Sequence, residues 1–133
     1  MKIITLGTTG ITTPQNGFGA LPIQRVDREP AAAILRKAFD GGITFFDTAR
    51  MYTDSEEKIG YALGPVRDRI IIATKTLAKN PDEFRTQLEQ SLKSLNTGYI
   101  DIHQFHCAER CYRPGDGSGM YECMLEAKEK GLI

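Results

Sequence analysis

Two hydrophobic rhythms alternate along this chain. Short apolar runs rich in β-branched and aromatic residues (Ile43-Thr44-Phe45-Phe46, Ile70 to Thr74, Ile100 to Phe105) are separated by longer stretches in which apolar residues return every three or four positions. The first pattern predicts strands and the second amphipathic helices. Ahead of them, Lys2 to Leu6 and Ile11 to Thr13 flank the turn-like Gly7-Thr8-Thr9-Gly10 and predict a β-hairpin. A short strand is expected around Phe18 to Leu21. A helix then starts at Asp27-Arg28-Glu29-Pro30, with the proline in its first turn. Ala31, Ile34, Leu35, Ala38 and Phe39 form its apolar face, and Gly41-Gly42 ends it.

The strand–helix unit then recurs. After the strand Ile43 to Phe46, Asp54 and Glu57 have the spacing of a reciprocal capping box, and Ile59, Ala62 and Leu63 follow as an apolar face before Gly64-Pro65. A strand from Arg69 to Thr74 leads to Asn80-Pro81-Asp82-Glu83, a cap followed by proline at the first helical position. Phe84, Leu88, Leu92 and Leu95 are spaced for one face of that helix. A strand from Tyr99 to Phe105 is followed by a glycine-rich loop, Pro114 to Gly119. The last helix turns Met120, Cys123, Met124 and Ala127 inward and ends at Gly131.

Four strand–helix units in series predict an α/β protein whose parallel sheet is covered by helices. A complete eight-fold βα barrel takes ~250 residues. This chain has 133, and Gly131-Leu132-Ile133 reads as the approach to a fifth strand. The expected fold is therefore half of a TIM (β/α)8 barrel: one domain over residues 1–133, made of the hairpin and the first four βα units. A small doubly wound sheet is the alternative, but its glycine signature is missing. Gly17-Phe18-Gly19-Ala20-Leu21-Pro22 has no third glycine, and no Gly-x-x-x-x-Gly-Lys-Ser/Thr occurs.

Charge and cysteine content narrow the partners. Seventeen basic and 17 acidic residues balance to zero, so neither nucleic acid nor an anionic membrane is expected as a partner. No apolar run is long enough to cross a bilayer, and the N-terminus has no extended apolar segment of the secretory kind. Three cysteines, clustered late at Cys107, Cys111 and Cys123, argue against a disulfide framework and for a reducing, cytoplasmic setting. His103, His106, Cys107 and Cys111 lie close in sequence, but the two histidines fall on opposite sides of a strand and the spacing matches no common zinc pattern. No metal is expected. Cys107 and Cys111 are assigned to the loop after the fourth strand, and Cys123 to the core.

Asp47, Lys75 and His106 each follow directly on a strand, with Tyr52 in the loop after Asp47. In a parallel α/β sheet these positions are the carboxyl ends of the strands, where active sites are built. Alternation along each strand places Ile43 and Phe45 below Asp47, Ile71 and Ala73 below Lys75, and Ile102 and Gln104 below His106, with His103 turned towards the helices. Singly, each has a bland reading: an ion pair between adjacent strands, a loop aromatic, a satisfied core histidine. Jointly, on consecutive strand ends, they read as a site. A phenol titrates near ~10 and is a weak acid at neutral pH. An ammonium beside it stabilises the phenolate, a carboxylate keeps the ammonium charged and oriented, and an imidazole can donate to a carbonyl oxygen. Delivery of a proton to that oxygen requires a hydride at its carbon, which side chains cannot supply, so a nicotinamide cofactor is implied.

Leu6-Gly7-Thr8-Thr9-Gly10, Gly17-Phe18-Gly19-Ala20, Asp47-Thr48-Ala49-Arg50-Met51-Tyr52, Ser55-Glu56-Glu57-Lys58-Ile59-Gly60, Ala73-Thr74-Lys75 and Asp101-Ile102-His103-Gln104-Phe105-His106 resemble the aldo-keto reductase family in order and spacing. The stretch Asp47 to Leu63 is most similar to bacterial and archaeal members, including those with a C-terminal iron–sulfur extension. The resemblance implies a TIM barrel that uses NADPH to reduce an aldehyde or ketone to an alcohol. It carries the catalytic tetrad onto Asp47, Tyr52, Lys75 and His106, with Tyr52 as general acid. It also implies that most of the cofactor cradle comes from later strands, leaving Gly19, Ala20 and Asp47 as edge contacts to the cofactor. Half a barrel would expose apolar inner faces, so self-association or a second half-barrel chain is an expected partner beside the small carbonyl substrate. Two other readings stay open: a non-catalytic reductase-like interaction subunit, and an unrelated barrel lyase with a Schiff base on Lys75. Asp47 counts against the latter by keeping Lys75 charged.

Overall fold

The computed structural model describes residues 1–133. Its N-terminal hairpin pairs β1 (Ile3–Thr5) with β2 (Thr12–Pro14), Ile4 opposite Thr13. The intervening turn needs positive φ at Gly7 and Gly10 (54° and 77°), which glycine adopts without a Cβ clash. The hairpin forms a sheet of its own. Met1 lies against Gly42 in the turn before β4 (Phe45–Asp47), at the amino end of the main sheet.

The main sheet contains β3 (Phe18–Gly19), β4, β5 (Ile71–Thr76) and β6 (Ile102–Phe105), all parallel and in sequence order. A doubly wound sheet reverses its strand order at a switch point. No reversal occurs here, so these strands are successive staves of a barrel wall. The helices α1 (Arg28–Asp40), α2 (Ser55–Leu63), α3 (Pro81–Ser94) and α4 (Met120–Glu129) alternate with them, and each packs on the next. Ile100 N donates to Leu132 O (2.9 Å), so the backbone after α4 returns beside β6.

Strand alternation sets the layers. Phe46, Ile72 and Thr74 are fully buried and meet the helices, whereas Phe45, Ile71 and Ile102 on the other face are only half-buried. The core joins the helix-facing strand residues to Ala31, Ala32 and Leu35, to Ile59, Ala62 and Leu63, to Phe84 and Leu88, and to Met120, Cys123 and Ala127. No helix is long and apolar enough to cross a membrane.

Several boundaries differ from expectation for identifiable reasons. The third strand stops at Gly19, because Pro22 opens a 3₁₀ turn over Leu21–Arg25. Ile34 is 43% exposed and Ala32 fully buried. At ~100° per residue Ala31, Ala32 and Leu35 share a stripe that Ile34 misses. Gly64-Pro65 ends α2, but a 3₁₀ stretch continues to Arg69, so β5 starts at Ile71 and reaches past Lys75. Tyr99 to Asp101 lie outside β6. The Asp101 carboxylate takes over the ladder's role, accepting from Ile72 N (2.9 Å) while it pairs with Arg67 (2.7 Å).

Candidate active site

The cap of α3 forms as the sequence predicts: Asn80 Oδ1 accepts from Glu83 N (2.9 Å), and Glu83 Oε2 accepts from Lys79 N (2.9 Å). The capping box expected at α2 does not form. Asp54 makes no side-chain cap bond and instead accepts from Lys58 Nζ at 2.7 Å. Lys58 is 4% exposed, and a buried ammonium needs an anion more than a helix end needs a cap. Its other bond, to Ile23 O (3.0 Å), ties α2 to the turn after β3.

Asp47 is the last residue of β4, and Lys75 is the fifth of six in β5, so Lys75 lies within its strand rather than just past it. Lys75 Nζ donates to Asp47 Oδ1 (2.6 Å), Asp47 Oδ2 (2.8 Å) and Thr48 O (2.7 Å), which uses all three ammonium protons. The chain between Asp47 and Tyr52 is fastened to β5 by Thr48 N to Ala73 O (2.8 Å) and Arg50 N to Lys75 O (2.9 Å). These bonds bring Tyr52 back over the strand end. Lys75 Nζ lies 5.6 Å from the centroid of the Tyr52 ring. The His106 ring stands edge-on to the same ring, at 5.6 Å and 84°. His106, the first residue past β6, is held by its own N–H on Thr76 O (2.8 Å). All four expected side chains therefore meet at one mouth. A cleft of ≈ 360 Å³ opens beside them, lined by Leu77, Phe105, Cys107 and Tyr112, and touches the group through His106.

The two histidines are in opposite environments, as alternation requires. His106 is pushed below the usual histidine range by burial first, then by the Lys75 charge, with Asp47 opposing. It is therefore a neutral imidazole at pH 7, and its buried Nδ1 has no partner within the chain. His103 points to the helices, edge-on to Phe84 at 5.6 Å, and neither ring nitrogen is hydrogen-bonded. Burial pushes His103 down to about 4.

Because the unfolded His103 binds a proton near pH 6.5 and the folded one does not until about pH 4, its contribution to stability is whole above pH 6.5. It is lost as the pH falls through that window, up to ~3 kcal/mol in all. Urea unfolding at a series of pH values should show this loss. His103→Phe should flatten it, and an unchanged acid slope in that variant would contradict the assignment.

Gly19 and Ala20 differ from each other. Gly19 is exposed, and a Cβ there would meet nothing within 4 Å, so its backbone opens on the mouth. Ala20 is fully buried. Its N–H donates to Asp47 O (2.8 Å) and its carbonyl accepts from Ser55 Oγ (3.1 Å), so it has no backbone group free for a ligand. Cys107 and Cys111 are exposed in the loop after β6, and Cys123 is buried on α4. No three His, Cys, Asp or Glu side chains converge as a metal site would need.

Sequence reasoning missed the polar layer beneath the site. Ser55 bridges Ala20 O and Thr48 Oγ1 (2.9 Å), and Glu56, 1% exposed, is bonded to both Arg50 and Thr74. The available signal was helical phase: Ser55 and Glu56 fall on the stripe of Ile59, Ala62 and Leu63, where an amphipathic helix turns inward.

A barrel wall with an acid, a phenol, an ammonium and an imidazole at its carboxyl rim defines a βα-barrel of the enzyme type. The chain belongs to the aldo/keto reductase family, whose pattern it matches over residues 4–133. It is 36% identical over 125 residues to the aldo-keto reductase YhdN of Bacillus subtilis, an overlap of 80% of this chain and 38% of that one. The aldo-keto reductase AKR11C1 from Bacillus halodurans superposes with a TM-score of 0.88 at 29% identity, covering all of this chain and 48% of that one. An aldo-keto reductase from Klebsiella pneumoniae in complex with NADPH superposes with a TM-score of 0.80 at 29% identity, covering 93% and 44%. The chain spans less than half the length of the curated relatives it matches.

Proposed function

We propose that this chain carries the proton-delivering half of an NADPH-dependent carbonyl reductase that converts an aldehyde or ketone to an alcohol. The observation behind this reading is the Tyr52 ring, flanked at 5.6 Å by the Lys75 ammonium and at 5.6 Å by the His106 ring. Tyr52 is the general acid. Lys75, fixed by the two oxygens of Asp47, sets its ammonium beside the phenol ring. Neutral His106 has an N–H with which to orient the carbonyl oxygen.

A bound nicotinamide would supply the hydride. Gly19, open above its backbone, and Asp47, partly exposed, are the residues placed to touch its edge. Ala20 belongs to the wall behind them. The half-buried inner residues Phe45, Ile71 and Ile102 fit a further set of barrel staves, so the assembled enzyme needs the remaining βα units, covalently attached or supplied by a partner.

The test is titration of NADPH into the chain assembled with its remaining βα units, followed by addition of a small aromatic aldehyde. The expected result is a change in NADPH fluorescence on binding, then loss of NADPH absorbance with alcohol formed in equal amount. An assembled barrel that neither binds NADPH nor consumes it sinks catalysis by these residues. The alternative, a non-catalytic interaction subunit, is favoured if NADPH binds without turnover in the fully assembled barrel.

A further inference from the structure

We infer that Glu56 is a positioning residue: its buried carboxylate locks the loop that carries Tyr52 to the strand that carries Lys75. The inference rests on the reductase reading above only for its catalytic consequence. Its structural content stands separately.

Glu56 lies in the first turn of α2 and is 1% exposed. Its Oε1 accepts from Thr74 Oγ1 at 2.7 Å, and Thr74 is the residue before Lys75 on β5. Its Oε2 accepts from Arg50 Nη1. Arg50 stands between Asp47 and Tyr52, and its own backbone N–H is bonded to Lys75 O (2.9 Å). The same Arg50 nitrogen also donates to Ser94 Oγ (3.1 Å), at the end of α3. One carboxylate thus holds both sides of the gap between phenol and ammonium, and the guanidinium links that gap to the helix layer.

Stability alone does not call for this arrangement. A buried ion pair recovers its desolvation cost only with good geometry, and apolar residues of similar volume often serve the fold as well or better. Geometric specificity is what a buried, fully bonded carboxylate adds, since it accepts only donors placed at its two oxygens. The donors here are Thr74, adjacent to Lys75, and Arg50, two residues from Tyr52, where a displacement of ~1 Å is costly to a reaction.

The test is Glu56→Gln in the full chain. The amide can still accept from Thr74, but its NH₂ would face the Arg50 guanidinium, donor against donor, and the loop link breaks. The reporter is the nuclear Overhauser cross-peak between the Tyr52 and His106 rings, which requires no turnover. It should fall several-fold in a variant whose circular dichroism is unchanged, because its intensity follows the inverse sixth power of distance. In protein that turns over, kcat should drop ~10–100-fold with KM for NADPH nearly constant. A folded Glu56→Gln protein with an undiminished cross-peak overturns the inference.

If that variant does not fold, the double replacement Arg50→Met and Glu56→Met, which leaves no charge unpaired, is read in the same way. If neither folds, Glu56 is a folding residue and the inference is overturned. A weakened cross-peak in an assembled barrel whose wild type shows no turnover leaves the positioning role standing and removes the reductase reading instead.

Discussion

Replacing Tyr52 with phenylalanine is expected to lower carbonyl turnover by ~10²–10⁴-fold, the usual range for loss of a positioned acid. The substitution removes one oxygen and leaves the ring. The edge-on contact with His106 and the approach of Lys75 to the ring both involve its carbon skeleton, which phenylalanine keeps. Thermal stability should therefore stay within ~0.5 kcal/mol of wild type, so the kinetic loss cannot be ascribed to unfolding. NADPH affinity should also be nearly unchanged, because the residues proposed to touch the cofactor, Gly19 and Asp47, are not altered. The measurement is kcat and KM in one assembled enzyme, with and without the hydroxyl. Equal turnover in the two proteins would remove Tyr52 from the chemistry and leave the ammonium–carboxylate pair as a strut between β4 and β5.

The largest stability effect is expected at Gly60. A methyl group there gains ~1 kcal/mol in helix propensity, so an exposed helical glycine would be stabilised by the change. Gly60 is buried against the end of α3: a Cβ would lie 2.6 Å from Ser94 O and 2.7 Å from both Leu95 C and Leu95 O. All three obstacles are backbone atoms, which cannot rotate aside as a flexible side chain can. Helix α2 must then move away from α3, at an overpacking cost of ~1–3 kcal/mol or more. Packing wins over propensity, and Gly60→Ala should unfold at a lower urea concentration with an unchanged m-value. The movement would also reach the site, since Glu56 rides on α2 and Ser94 receives Arg50. A Gly60→Ala protein more stable than wild type would mean that the two helices slide freely, contrary to the contact described.

The alternation of apolar strands with amphipathic helices gives the order of elements directly, and the half-barrel reading follows because four units without a Rossmann glycine signature leave few other parallel arrangements. The opposite fates of His103 and His106 are legible too, since odd and even positions on a strand face different layers. Boundaries were less legible. The apolar run stops at Thr74 and so predicts Lys75 past its strand, yet the ladder continues through Lys75–Gln104 and Thr76–Phe105 pairing. A backbone ladder is indifferent to side-chain polarity at its last rungs. The capping-box expectation at Asp54 failed for a different reason. Capping is a local preference of ~1 kcal/mol, and a buried ammonium four residues on competes for the same carboxylate and outweighs it.

What the sequence determined by itself is therefore the order of strands and helices, the face each strand residue would take, and that Asp47, Lys75 and His106 would end at the carboxyl rim. All of that follows from periodicity, which is a local property of the chain. Only the tertiary structure decided that Lys75 would satisfy all its donors on Asp47 and Thr48, that Ala20 would be sealed into the wall while Gly19 stayed open, and that Glu56 would be buried between Arg50 and Thr74. Apart from the Arg50–Glu56 bond, six residues long, those outcomes depend on partners 18 to 35 residues apart. Helical phase can turn a polar side chain such as Glu56 inward, but which donors meet it there is settled by other segments of the chain, and no local pattern encodes those.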